Sequence, residues 1–482
     1  MTANGILKNY FYNVIYQILV IIIPLITTPY ISRVLGVENV GIYSYVSTVS
    51  TYFITISQLG LNLYSRRQIS YIRGDRKNTS NTFMQLMLIR FTAFGIGMIL
   101  YLLLILKNRR YTVYYQIFIM YILAGAIDIT WFFQAFEEFK IITLRNCFIK
   151  IINVISIFIF VRAQNDLWKY MIIFCLGELV SQAVMWTGIK KKIDFKGFEK
   201  DGIFDHFRGA VIMFLPQIIT TVYTLADKLI LGILSTETQV GLYSQSEKIV
   251  KLSLALIGSM GTVAMPQIAN CFANGEEYQI RETLSKNLRF VFFLAFPIIF
   301  GLYGIADSFT ICFFGPGYEA VSYLMVIISP IILLIGLSDL YGMQYLVPTG
   351  HMREYTMAAA AGAAANVILN LILVGKYAAV GVSIATVASE LVVAGIMRYY
   401  AGKYITLRVE KILRYPIIAV FLGIIVKVID IKNNDNVYMT AAEIMIGASL
   451  YIIALWFFRD ELVMEFIRMI KARISGRKRE RR

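Results

Sequence analysis

Apolar runs of roughly 20 to 25 residues follow one another along almost the whole chain, each about as long as a helix needs to cross the core of a bilayer. With 58% hydrophobic and only 16% charged residues, a single water-soluble core of 482 residues could not hide so much apolar surface. The mean hydropathy of +0.66 agrees. The first run follows Lys8 and extends past Leu35, too long for a cleavable signal peptide, so it reads as a membrane helix that stays attached. Fourteen spans fit the pattern, from 11–34 to 437–458, with short connections apart from polar ones near 65–82, 190–207 and 270–286. The expected fold is an all-α integral membrane protein.

One segment of this apolar chain occurs twice. Pro24, Leu35-Gly36 and Val40-Gly41-Ile42-Tyr43-Ser44 return about two hundred residues later as Pro216, Leu231-Gly232 and Val240-Gly241-Leu242-Tyr243-Ser244. Duplicated halves with proline-interrupted helices at matching places mark many transporters, whose substrate site lies near the interface of the repeats. The organisation expected is a six-helix bundle at 1–189, a cytoplasmic linker at 190–207 and a second six-helix bundle at 208–404. Two additional membrane helices at 405–458 and a basic cytoplasmic tail at 459–482 complete it. Pro24 and Pro216 each remove a backbone hydrogen bond, so they are expected to let the first helix of each repeat bend during gating.

Most Lys and Arg residues fall in one set of alternate connections, including Arg66, Arg67, Arg73, Arg76 and Lys77, the 190–207 stretch and the tail. The positive-inside rule then places both termini in the cytoplasm. Lys107, Arg109 and Arg110 form the one discordant cluster. A net charge of +16 gathered on one membrane face suits anionic lipid headgroups, and nucleic acid is not expected as a partner. Cys147, Cys175, Cys271 and Cys312 stand singly, without CxxC spacing, so neither a disulfide framework nor a metal site is expected. No Walker motif or other phosphate loop is present, and no cofactor or nucleotide-driven engine is expected.

Charges at bilayer depth are costly and usually face a partner or a polar cavity. The cations at such positions are Arg33, Arg90, Arg145, Lys150, Lys228, Lys248 and Lys251, and the acids are Asp128 and Asp227. Asn146, Lys150 and Asn153 follow i, i+4, i+7 spacing and form one polar stripe on a helix. Arg33 and Lys228 place a cation near the outer end of the first helix in each repeat. The excess of cations suits an anionic cargo such as a phosphate or pyrophosphate, with Lys and Arg as charge partners. The plainer reading is that Arg33, Arg145 and Lys248 snorkel to headgroups and that Asp227 neutralises Lys228 or Lys251, while Asp128 and Asp227 remain candidates for ion coupling or charge pairing.

The stretch Pro24-Leu25-Ile26-Thr27-Thr28-Pro29-Tyr30-Ile31-Ser32-Arg33-Val34-Leu35-Gly36, followed by Gly41-Ile42-Tyr43, resembles the opening signature of bacterial polysaccharide transporters. These are the Wzx-type O-antigen and capsule flippases of the multidrug/oligosaccharidyl-lipid/polysaccharide exporter superfamily. Trp131-Phe132-Phe133-Gln134-Ala135-Phe136-Glu137 and Leu144-Arg145-Asn146 resemble the next block of that family. The resemblance implies two six-helix bundles facing a central cavity, plus two C-terminal helices. It further implies a cargo of undecaprenyl-pyrophosphate-linked oligosaccharide, flipped across the bacterial cytoplasmic (inner) membrane by alternating access, with a polysaccharide polymerase and glycosyltransferases as neighbours in the pathway. Rival readings are a lipid II flippase, a multidrug or cation antiporter of the same superfamily and, less readily, a membrane-embedded polymerase.

Overall fold

The computed structural model describes residues 3–107, 109–195, 198–407, 412–430, 437–465 and 467–468, without the side chains of 3–18, 190, 191, 216, 259, 260, 262 and 263. Fifteen α-helices account for most of these residues. In chain order they are α1 (Ala3–Gln58), α2 (Leu61–Ile72), α3 (Arg76–Lys107), α4 (Thr112–Ala126), α5 (Thr130–Ala135), α6 (Phe139–Phe160) and α7 (Leu167–Met185). They continue as α8 (Ile203–Leu234), α9 (Glu237–Ala273), α10 (Glu277–Phe314), α11 (Ala320–Ile328), α12 (Ile331–Ser338), α13 (Met352–Gly402), α14 (Arg414–Asp430) and α15 (Val437–Phe457). A π-helical turn, Asp339–Leu346, follows α12. The basic tail beyond 468 lies outside the described residues.

Ten described segments are long and apolar enough to cross a membrane, where the sequence suggests fourteen spans. Part of the difference lies in helices that run together. Leu19–Ile72 covers 54 residues and Met352–Gly402 covers 51, each more than twice the length a bilayer core needs. Non-helical backbone breaks the first at Gly36 (φ 76°) and the second at Ala378 (φ 46°). The polar stretch 65–82 is a second departure, being helical on both sides of a turn at 73–75.

The chain divides into two compact units, Met1–Gly241 and Leu242–Arg482. The division falls beyond the 190–207 linker, because α8 packs against α1, α2 and α3. Gly60 makes that packing close: a Cβ there would lie 2.5 Å from the Ala210 carbonyl oxygen, and its φ of +74° suits glycine. The described part of the linker is fixed rather than free. Gln85 donates to the carbonyls of Glu199 (2.8 Å) and Asp201 (2.7 Å), and Ser80 accepts from the Asp194 N–H at 2.9 Å.

The first unit has two apolar cores. One joins α1, α3, α4 and α7 through Leu35, Tyr101, Tyr115, Phe118 and Met171. The other is built on Trp131, Phe132 and Phe133, with Trp131 stacked on Phe83 at 5.6 Å. Trp131 also donates from its indole N–H to the Asp128 carbonyl at 3.0 Å, and Glu137 pairs with Arg73 at 2.8 Å. The aromatic block noted in the sequence is therefore a packing hub. In the second unit α10 packs along α14 and α15, and α12 along α13.

Helix α6 shows how each helix divides its faces. Leu144, Phe148, Ile151, Ile155 and Phe158 are exposed and lie along one side, as a lipid-facing helix requires. The stripe of Asn146, Lys150 and Asn153 is half-buried on a different side.

The duplicated segments fold alike when aligned on Val-Gly-x-Tyr-Ser. Gly36 then corresponds to Thr236, so the break in α1 matches the gap between α8 and α9. Gly232, by contrast, lies inside α8. The correspondence between Arg33 and Lys228 is lost in this register, because Ile233 occupies the position matching Arg33. The prolines do not make the break either: α1 runs helically through Pro24 and Pro29. Pro216 lies in α8, and its side chain is outside the described residues.

Gly41 and Gly241, the same motif position in the two copies, meet backbone to backbone within the first unit. A Cβ on Gly41 would lie 1.8 Å from the Glu237 carbonyl oxygen, and one on Gly241 would lie 2.2 Å from that of Val37. Each glycine thus approaches the residue four before its counterpart. That reciprocity is what a local two-fold crossing produces.

Candidate functional site

A seam of polar and charged side chains runs between α6 and α7 in the first unit. The helices approach closely because Gly177 has no side chain: a Cβ there would lie 2.3 Å from the Asn153 amide nitrogen. One turn from Gly177, Arg145 donates to the Ser181 carbonyl at 3.2 Å and to Gln182 Oε1 at 3.1 Å. Its remaining edge donates to Asn146 Oδ1 at 2.7 and 3.1 Å. Gln182 Oε1 also accepts from the Thr130 hydroxyl at 3.3 Å. Lys150, next along the α6 stripe, interacts electrostatically with Glu178 of α7. Glu178 is half-buried and faces Lys150, Arg145 and Asp128. Further along α7, Phe174 and Tyr170 continue the same side at i−4 and i−8. Tyr43 packs edge-on to both, at 4.8 Å from Tyr170 and 5.8 Å from Phe174.

Arg90 lies beside this seam with a different fate. It is 1% exposed. Its guanidinium donates to the Gly125 carbonyl at 2.8 and 3.1 Å and to Asn62 Oδ1 at 2.8 Å, and it stands 3.6 Å from Asp128. Asp128 also accepts from the Thr130 N–H at 2.8 Å. The two charges form a clamp joining α2, α3 and the α4–α5 turn.

The other expected site residues are scattered. Arg33 is exposed on α1. Asp227 is buried on α8 and interacts with Tyr52, while Lys228 is half-buried. Lys248 is exposed on α9. Lys251 pairs with Glu247 at 2.6 Å, and that carboxylate is buried. The sequence suggests cations with few acids near them, but four of those cations face acids: Arg90 faces Asp128, Lys150 and Arg145 face Glu178, and Lys251 faces Glu247. Glu178 and Glu247 were both missed. Glu247 carried a usable signal, since it precedes Lys251 by one turn; Glu178 gains its partners only through packing.

The second unit holds a buried polar cluster of its own on α9 and α13. Asn370 donates to Asn366 at 3.1 Å, Asn366 lies 3.5 Å from the Ser389 hydroxyl, and Tyr243 lies 3.2 Å from the Thr386 hydroxyl, all buried beside Glu390. An apolar cavity of about 450 Å³ lies between α10, α14 and α15, bounded by Phe293, Pro297, Gly301, Gly423, Glu443 and Tyr451. Among the described residues, no group of His, Cys, Asp and Glu could hold a metal ion.

The discordant basic cluster has a local explanation. Arg110 pairs with Glu237 at 2.7 Å, and the Tyr111 hydroxyl donates to the same carboxylate. Glu237 opens α9, four residues before Gly241, so this pair fixes one side of the glycine crossing.

Residues 6–272 match the family model described as polysaccharide biosynthesis protein. The chain is 24% identical over 402 residues to an Escherichia coli (strain K12) protein named "Putative O-antigen transporter", covering 80% of this chain and 95% of that one. It is 23% identical over 190 residues to the Haloferax volcanii "Probable low-salt glycan biosynthesis flippase Agl15", covering 39% of this chain and 40% of that one. Its fold is similar to that of the lipid II flippase MurJ in an inward closed conformation, with a TM-score of 0.76 at 13% identity over 94% of this chain and all of the other. The chain is a multi-pass membrane protein and belongs to the polysaccharide biosynthesis protein family, in keeping with its resemblance to the Wzx-type flippases.

Proposed function

We propose that this chain is a flippase that carries an isoprenoid-diphosphate-linked oligosaccharide across the bacterial cytoplasmic membrane for polysaccharide assembly. The relatives' names support transport rather than catalysis and a glycan rather than a drug as cargo. The likeness to the lipid II flippase is one of fold and carries no cargo with it.

The observation that carries the reading is the α6–α7 seam, where Lys150 and Arg145 stand half-buried beside Glu178 and a row of amide side chains. A cation kept at bilayer depth serves a charged partner, and the diphosphate is the charged group common to such cargoes. Phe174 and Tyr170 continue the same side of α7, half-buried and packed against Tyr43. Arg90 and Asp128 are left to structure, and Arg33, Lys228, Lys248 and Lys251 to flanking or paired roles. The proposed arrangement has fourteen crossings, two six-helix repeats, a C-terminal helix pair and both termini in the cytoplasm. The Gly41–Gly241 crossing, where the two backbones meet directly, is the contact that parts in alternating access. The oligosaccharide comes from glycosyltransferases on the inner face and passes to a polymerase on the outer one.

A bacterial strain lacking its own polysaccharide flippase tests this. Expression of the chain should restore surface polysaccharide, Lys150→Ala should not, and Lys150→Arg should restore more than Lys150→Glu. Full export with Lys150→Glu at normal protein levels would remove the seam from the function.

A further inference from the structure

We propose that Glu178 is an internal counter-anion that holds the cations of the α6–α7 seam when the site is empty and yields them to the diphosphate of the cargo. The inference rests on the reading of this seam as the diphosphate site and assigns it a residue that sets affinity and the choice between anions.

Three observations carry it. Glu178 sits on α7 between Gly177, where α6 comes closest, and the Ser181-Gln182 pair that receives Arg145. Its side chain is therefore confined to the seam by the same packing that positions the cations. The charges facing it are Lys150 and Arg145 from α6 and Asp128 from the α4–α5 turn. Tyr121 of α4 and Cys175 on its own helix complete its titratable neighbours. Glu178 is half-buried rather than sealed in, unlike the 1% exposed Arg90, so it can part from its partners without opening the fold.

The physical consequence is competition. A carboxylate bearing one charge occupies cations that a diphosphate, bearing more, binds better. A monophosphate gains less over the carboxylate it displaces, so the seam discriminates by anion charge. Removing the carboxylate's charge without changing its shape should therefore free the cations in advance and weaken the discrimination between the two anions.

Purified protein in mild detergent, titrated with farnesyl diphosphate and farnesyl phosphate, tests the proposal. At about pH 8, where both probes are fully ionised, the wild-type chain should bind the diphosphate more tightly than the monophosphate. Glu178→Gln should bind the diphosphate about fivefold more tightly than wild type, the scale of one partly solvated ion pair, with less preference over the monophosphate. Glu178→Asp, which keeps the charge, should retain the wild-type affinity and preference, and Lys150→Ala should lose binding. Unchanged or weaker binding by Glu178→Gln with the wild-type preference overturns the counter-anion role without touching the flippase reading. Wild-type protein that restores export but binds no diphosphate removes the diphosphate site and this inference together. Failure to restore export at all counts against the underlying flippase reading.

Discussion

A guanidinium survives in a membrane interior only where its whole donor rim is matched, and Arg90 meets that condition through Gly125, Asn62 and Asp128. Removing it strands Asp128 and leaves the Gly125 carbonyl unmatched. Arg90→Ala should cost about 3 kcal/mol in denaturant unfolding in detergent. Adding Asp128→Ala should cost less than the sum of the single changes, since the pair is one interaction. Simple addition of the two losses would mean that no coupling exists. The sequence exposes both residues as charges in apolar runs but not their pairing, because 38 positions separate them and only the fold of α4 against α3 brings them together. Glu178 is harder still to read, as a lone acid between Gly177 and Leu179 with no cation a turn away on its own helix.

Helix junctions show which parts of a sequence pattern survive as structure. The proline in the repeat is conspicuous, yet the break in α1 occurs at Gly36, where positive φ excludes most residues. Gly36→Ala should therefore destabilise the protein by about 1 kcal/mol, and Pro24→Ala should do less. The reciprocal approach of Gly41 and Gly241 leaves no space for a side chain. Gly41→Leu should force the crossing apart and make a cysteine at Tyr45, whose ring covers Gly232, react faster with a maleimide. An unchanged reaction rate would show that the crossing does not hold the site closed.

The α2–α8 junction adds a pH dependence. Tyr64 lies 2.9 Å from His206 Nδ1, and burial holds that imidazole below its ordinary value while Asp205 opposes the shift. The folded protein thus keeps His206 neutral where the unfolded chain, titrating near about 6.5, already binds a proton. Stability should rise with pH through the window from the folded value to the unfolded one and fall on acidification. His206→Gln should flatten that part of a melting-temperature profile. A variant with the wild-type slope would assign the dependence elsewhere.

For the molecule as a whole, hydropathy is the part of the sequence that carries furthest, because a bilayer imposes helix length and satisfaction of the backbone at once. The all-helical membrane fold follows from it directly. Span ends do not, since α1 and α13 each continue past the length of one crossing before they break. The unit boundary is also hidden, because the place of α8 depends on glycine contacts with α2. Charge asymmetry gives the orientation its basis, and the pairing of Arg110 with Glu237 accounts for a cation that runs against it. Cysteines introduced at Gly74, exposed in the α2–α3 turn, and at Glu319, exposed before α11, should label from the cytoplasmic and outer faces respectively. Labelling of both from one face would overturn the orientation.

Transbilayer movement is the central claim, and purified protein in liposomes measures it most directly. Vesicles containing a fluorescent isoprenyl-diphosphate-linked oligosaccharide would be probed with a lectin or glycosidase that reaches only the outer leaflet. Wild-type protein should make the inner-leaflet pool accessible much faster than protein-free vesicles do, and Lys150→Ala, equally well inserted, should abolish the acceleration. Equal rates with wild-type protein, the variant and no protein at all would contradict the account.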